Sequence, residues 1–224
     1  MRRCLFGVLL LLLCHQVMAD NRPQLSDYDS LFATEASSEQ LQQLQQRLAL
    51  TDTSRGNFQQ TRWLRVLKQP LFSSGHFIFA ATQGMLWQQQ QPFATTLILK
   101  QQQLLQLDSQ GHLSVQQAST APTALASLLP TLMQALLAGN IDYLQQHFVL
   151  YLQAQSSWQL GLIAKDNQLQ AVLPKLVLIG DTQPQQLLML GQQGDISDIR
   201  FSQIHPGPLS AAEQQLFTPS GIAN

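Results

Sequence analysis

A two-residue alternation of apolar and polar side chains sets the tightest limit on the architecture of this chain. It begins after Arg55-Gly56, where Phe58, Gln60, Arg62 and Leu64 fall on one face and Gln59, Thr61 and Trp63 on the other. Short strand-like segments follow at Leu71–Ala80, Met85–Gln90, Phe93–Lys100, Leu104–Asp108 and Leu113–Gln117. Turn signals separate them: Pro70, Gln83-Gly84, Pro92, Gln101–Gln103 and Ser109-Gln110-Gly111. The pattern predicts an antiparallel meander. It returns at Phe148–Gln155, Trp158–Ala164, Leu176–Gly180, Gln186–Leu190 and Ile196–Ile204, with Gly191–Gly194 as a hairpin-like turn.

Helical spacing lies before and between the two runs. Ser37 or Ser38 caps a helix in which Leu41, Leu44 and Leu48 recur at one face. Pro122 opens a second region, whose stripe Leu125, Leu128, Leu129, Leu132, Met133, Leu136 and Leu137 ends at Gly139-Asn140. Pro130 interrupts it and predicts a kink or two short helices. By period and size the stripe serves either as core packing or as a mobile lid. Asp142–Gln146 adds a helical turn, Gln168–Leu173 a short helix and Leu209–Phe217 a terminal helix. The expectation is one α+β domain over residues 37–224, with six strands, helices and then five strands.

The first residues read as targeting. Arg2 and Arg3 precede the apolar run Leu5–Leu13, and Val17-Met18-Ala19 offers a small-residue cleavage site. Residues 1–19 are therefore expected to be a secretory signal peptide, and residues 20–36 a polar, irregular, flexible lead-in. The apolar run is shorter than the roughly 20 residues of a membrane span. Cys4 and Cys14 are the two cysteines of the chain, and both leave with the leader. The mature chain then has no disulfide, thiolate nucleophile or cysteine metal site. Leu13 before Cys14 does not suit a lipidation site, so a soluble product is expected.

Charge narrows the function classes. The chain has 12 Lys+Arg and 13 Asp+Glu, a formal charge of −1. Removing Arg2 and Arg3 leaves 10 basic residues against 13 acidic ones, or −3. That balance excludes an electrostatic grip on nucleic acid. Only 11% of residues are charged, and 38 Gln supply the surface polarity instead. No G-x-S-x-G, H-E-x-x-H or P-loop occurs. His76, His112, His147 and His205 lie far apart without ligand spacing, and the acids are equally scattered. Catalytic, metal and cofactor sites are therefore not expected.

Three motifs stand in order after the leader. They are Gly56-Asn57-Phe58-Gln59-Gln60-Thr61-Arg62, then Ser73-Ser74-Gly75-His76-Phe77, then Gly84-Met85-Leu86-Trp87 with Gln91-Pro92-Phe93. This order resembles the LolA family of periplasmic outer-membrane lipoprotein carriers. Gly194-Asp195-Ile196 before Asp198-Ile199-Arg200-Phe201 resembles the last hairpin of that family. The resemblance implies an unclosed antiparallel β-barrel, a curved half-barrel sheet, with helices forming a lid over its apolar concave face. It implies that the Leu125–Leu137 stripe is that lid.

In function, the resemblance implies a soluble periplasmic carrier from a Gram-negative bacterium. Such a carrier takes an acylated lipoprotein from an inner-membrane export machine to an outer-membrane acceptor. The expected apolar cavity comprises Phe77, Phe79, Trp87, Leu97 and Leu99 on the sheet, with Leu129, Leu132, Met133 and Leu136 from the lid. The protein is expected to act as a monomer, without catalysis. One departure stands out: the family's latch arginine after the second strand is Ala81 here, and no Arg or Lys lies between Gly75 and Pro92. Another lipid or hydrophobic product for a dedicated exporter is therefore an alternative cargo. A non-catalytic envelope assembly module, with the stripe packed permanently, is the alternative from another class.

Overall fold

The computed structural model describes residues 22–48, 52–100, 103–116, 134–135, 139–167, 170, 175–191 and 194–218. Residues 1–21, the stripe Leu125–Leu137 apart from residues 134–135, and most of Gln168–Leu173 lie outside the described residues.

Among the described residues eleven strands form one antiparallel sheet: β1 Thr53–Trp63, β2 Leu71–Ala80, β3 Gly84–Gln91, β4 Thr95–Lys100, β5 Gln103–Leu107, β6 Leu113–Gln116, β7 Phe148–Ala154, β8 Trp158–Ala164, β9 Lys175–Gly180, β10 Pro184–Leu190 and β11 Ile196–Pro206. Their spatial order is β6-β5-β4-β3-β2-β1-β11-β10-β9-β8-β7. The two meanders read from the sequence thus meet at a β1–β11 seam, where Phe58 pairs with Phe201 and Trp63 with Ile196. The sheet is an unclosed half-barrel: β6 and β7 are its edges, and they do not pair with each other among the described residues.

Most strands shift at one end or both by a residue or two from the sequence reading, and two starts have a local cause. β1 starts at Thr53 and runs through Arg55-Gly56, because Gly56 fits opposite Phe77 and a register shift between Arg55 and Asn57 absorbs the irregularity against β11. β4 starts at Thr95 and leaves Phe93 in the preceding turn, as Pro92 supplies no ladder N–H.

Helix α1, Ser38–Arg47, begins with a capping box in which Ser37 and Gln40 satisfy each other's backbone amides. Its buried Leu41 and Leu44 join the main core on the inner face of the sheet. Helix α2, Ile141–His147, is capped by Asn140 and buries Ile141 and Leu144 in the same core. Helix α3, Ala211–Leu216, is capped by Ser210 with Glu213.

The outer face is covered in two separate places. Phe217, with Leu209 at its margin, packs on Ile78, Leu86, Ile98 and Leu105 of β2–β5. Leu31, with Tyr28 and Phe32, packs on Val177, Leu188, Leu190 and Ile196 of β9–β11. Residues 22–36 therefore differ from the irregular lead-in read from the sequence. They form two 3-10 turns, Leu25–Tyr28 and Leu31–Ala33, and Leu31 is only 2% exposed. The apolar residues Leu25, Tyr28 and Leu31 recur every three positions, which is the spacing of a 3-10 face. Beyond them, Glu35 bridges Tyr151 and the Ala36 N–H donates to the Leu150 carbonyl at 2.8 Å, protecting the β7 edge.

Candidate functional site

Strand alternation gathers the sheet residues singled out from the sequence on one face. Across β2, β3 and β4, Phe77 pairs with Trp87 and Trp87 with Leu97. In the next row Phe79 pairs with Met85 and Met85 with Leu99. Paired residues in adjacent strands point to the same side, so these six side chains form a two-row apolar field. Phe77, Phe79, Met85, Trp87 and Leu99 are buried, and Leu97 is half-buried against the same core. Leu129, Leu132, Met133 and Leu136 lie outside the described residues.

Two further aromatic residues complete the field. The Phe58 ring stacks on Trp87 with centroids 3.8 Å apart and planes at 24°. Phe58 is on β1 and Trp87 on β3, so the contact passes over β2 at Gly75, the residue paired with Phe58. A Cβ on Gly75 would come within 1.9 Å of the Gln88 carbonyl oxygen, so only glycine admits this approach of β3. Gly56 acts similarly: a Cβ there would lie 2.8 Å from the edge of the Phe77 ring. Phe77 in turn meets Phe201 edge-to-face at 5.7 Å, and Trp87 meets Phe201 at 6.4 Å. Pairs of this geometry each add about 0.5–1.5 kcal/mol beyond burial. Phe58 and Phe201 were motif residues in the sequence; what it could not show was that Phe58 reaches Trp87 across β2 and that Phe201 reaches Phe77 and Trp87 across β1.

Polar side chains are few on this face among the described residues. Ser54 pairs with Phe79 on this face, and its buried Oγ has no hydrogen-bond partner among the described residues. Tyr143 of α2 packs at the margin of the core, and burial pushes its phenol pKa up. His76 bonds to Asn57 at 2.5 Å, His112 to Asp108 at 3.1 Å and His205 to the Gln203 carbonyl at 2.7 Å, each at an exposed site. The described residues contain no group of three or more His, Cys, Asp or Glu able to hold a metal ion. Asp108 and Asp181 have carboxyl pKa values held down mainly by backbone N–H groups, of His112 and Thr182 respectively, in exposed turns.

An open antiparallel sheet with one aromatic inner face is the setting in which the sequence motifs gain meaning. Residues 33–197 match the family described as outer membrane lipoprotein carrier protein LolA-like. The chain belongs to this LolA-like family. The fold is a carrier and binding fold, generally non-catalytic. Similar solved structures include a LolA superfamily protein from Nitrosomonas europaea, at 10% identity and TM-score 0.44, covering 83% of this chain and 98% of that one. Another is a putative outer membrane lipoprotein-sorting protein domain from Vibrio parahaemolyticus, at 7% identity and TM-score 0.44, covering 79% and 96%. MucB is similar at 16% identity and TM-score 0.38, covering 80% and 62%. Membership rests on the family match. No curated protein matches the sequence. Among the described residues no helix is long and apolar enough to cross a membrane.

Proposed function

We propose that this LolA-like chain is a periplasmic carrier that shelters acyl chains on the inner face of its sheet and performs no covalent chemistry. The observation that carries this reading is the aromatic field of Phe58, Phe77, Phe79, Trp87 and Phe201 on the inner face of an unclosed sheet. An acyl chain in water exposes about 0.8 kcal/mol of hydrophobic free energy per CH₂, so a lipoprotein crossing an aqueous compartment needs such a shelter. The field is closed as it stands, with Phe58 at 0% exposure. Cargo enters by displacing groups that cover it, and Leu129, Leu132, Met133 and Leu136 act as the movable lid. Release follows when the closed and loaded states lie close in free energy.

The chain works after removal of residues 1–19, as a monomer. It takes cargo from an inner-membrane export machine and passes it to an outer-membrane acceptor. Ala81 favours a second reading of the cargo, as another lipid or hydrophobic product for a dedicated exporter. Its N–H donates to the Asp52 carbonyl at 2.8 Å, and its methyl side chain has nothing to offer a lid. A weaker closure suits a cargo handed over differently.

Lipid co-purification tests the carrier reading. Mature wild-type protein is expected to carry acylated lipid detectable by mass spectrometry, and Leu132→Asp is expected to carry at least tenfold less. A wild-type protein free of lipid that also fails to bind acylated lipoprotein would end the proposal. Mass spectrometry of the bound lipid separates the two cargo readings.

A further inference from the structure

The end of the sheet at which the β1–β2 hairpin turns displays large apolar side chains to solvent. Pairing of β2 with β3 stops at Ser74 opposite Gln91, while β1 and β2 stay paired as far as Arg62 and Leu71. The hairpin therefore continues past β3 and turns through residues 64–70. Val66 is 82% exposed and Phe72 67%, with Leu67 and Leu71 also exposed. In the neighbouring β3–β4 turn, two residues beyond Gln91, Phe93 is 76% exposed.

Cations share this tip. Arg62, Arg65 and Lys68 are all exposed within the hairpin. Residues 53–107 hold five Lys or Arg and neither Asp nor Glu, in a chain whose overall charge is −1. Two carboxylates face the hairpin from the β10–β11 side, and both are engaged within the fold. Asp195 Oδ1 accepts the Arg65 backbone N–H at 2.7 Å. Asp198 accepts from Gln186 at 2.8 Å and from Arg200 at 3.2 Å.

Exposed aliphatic and aromatic groups flanked by cations match the boundary between anionic headgroups and acyl chains. An apolar hairpin turn that extends past β3 enters a fluid surface that reshapes around it, whereas a folded protein would need a matching groove. We propose that the β1–β2 hairpin tip, together with Phe93, docks the protein on an anionic phospholipid bilayer. Val66, Leu67, Phe72 and Phe93 enter the headgroup boundary, and Arg62 and Lys68 lie against lipid phosphates. The tip orients a net negative protein toward a negative surface by local charge, within about a Debye length. None of these residues belongs to the inner-face core, so the inference stands whether or not the inner face carries cargo.

Co-sedimentation with vesicles tests it. The probes are vesicles of phosphatidylethanolamine with phosphatidylglycerol, against vesicles of phosphatidylcholine alone. Wild-type protein is expected to bind the anionic vesicles in low salt, to release in high salt, and to ignore the neutral ones. Arg62→Gln with Lys68→Gln should weaken binding roughly fivefold per charge. Val66→Ser with Phe72→Ser and Phe93→Ser should weaken it at least tenfold, with an unchanged circular dichroism spectrum because all three side chains are exposed. Equal binding to both vesicle types overturns the proposal. So does binding that survives both sets of substitutions, which would assign it to lipid uptake on the inner face. Failure of the wild type to bind anionic vesicles overturns it too and turns the tip toward a protein partner.

Discussion

On the β9–β11 side of the sheet the outer face is covered from the N-terminal end of the described chain, and on the β2–β5 side from the C-terminal end. The N-terminal cover is fastened at many points. Leu31 is buried, the Phe32 ring lies edge-to-face on Tyr151 at 5.3 Å, and Lys175 Nζ stands 4.5 Å from the Phe32 centroid. Arg22 donates to the Gly194 carbonyl, and Glu35 and Ala36 attach to the β7 edge. The C-terminal cover rests on fewer: the buried ring of Phe217, the Arg55–Glu213 ion pair at 3.1 Å, and Arg55 bonds of 2.9 Å to the carbonyls of Gly207 and Pro208. Both covers solve the same problem, apolar residues on the outward side of a sheet. Distributed fastening resists a single substitution better than one anchor does.

The sharpest way to break this comparison is to remove each anchor. Phe217→Ala should cost about 3–5 kcal/mol in urea unfolding, and Leu31→Ala about 2–5 kcal/mol, toward the lower end because its neighbours hold the segment in place. Hydrogen exchange should accelerate around Ile98 and Leu105 in the first variant and around Val177 and Leu188 in the second. A larger loss for Leu31→Ala than for Phe217→Ala would reverse the ranking.

A smaller effect is expected from Glu213→Ala, about 1 kcal/mol, because it removes a capping-box partner and a partly exposed ion pair. The same carboxylate makes the C-terminal cover acid-sensitive. Its pKa is lowered first by the Ser210 backbone N–H, with the Ser210 hydroxyl and Arg55 adding to this against opposing burial. A depressed folded pKa means the stabilisation is present above the ordinary glutamate range and is lost as pH falls through the folded value. Exchange near Ile98 should therefore rise in acid before exchange near Val177, and Glu213→Ala should abolish that order.

The smallest effect belongs to the other end of the pH scale. The Tyr28 phenol pKa is raised, first by burial and then by the charges of Asp27 and Asp198. A raised folded pKa gives stabilisation that is full below the ordinary tyrosine range and lost as pH rises through the folded value. Alkali above the ordinary tyrosine range should loosen the N-terminal cover first, and Tyr28→Phe should remove that sensitivity while leaving neutral-pH stability almost unchanged. Alkaline exchange that is the same in Tyr28→Phe and wild type would rule out this source.

The strands were legible because each is short, alternating and bounded by glycine, proline or polar turns; β2 and β8 begin and end where the alternation does. Helix α1 was legible from Ser37 and the leucine spacing. Nothing local announces the β1–β11 seam, since its partners are far apart in the chain. The sequence also showed Phe77, Phe79 and Trp87 as a shared strand pattern but not the stack of Phe58 on Trp87 over β2. That contact depends on Gly75 being bare, a property of the space between strands rather than of either aromatic residue. The N-terminal turns are not legible in the sequence because a three-residue repeat carried by so few residues resembles irregular chain.

The seam also bears on how the chain comes into being. Ser54 and Pro206 are partners in the finished sheet, so the first strand made waits for the last. A polypeptide released before Ile196 holds two half-sheets, one ending in a bare β1 and the other in a bare β10, each an unpaired row of amides and carbonyls open to a neighbouring molecule. Completion of the C-terminal stretch is thus the step that removes two sticky margins at once, and it places the greatest aggregation hazard in the unfinished chain rather than in the mature one.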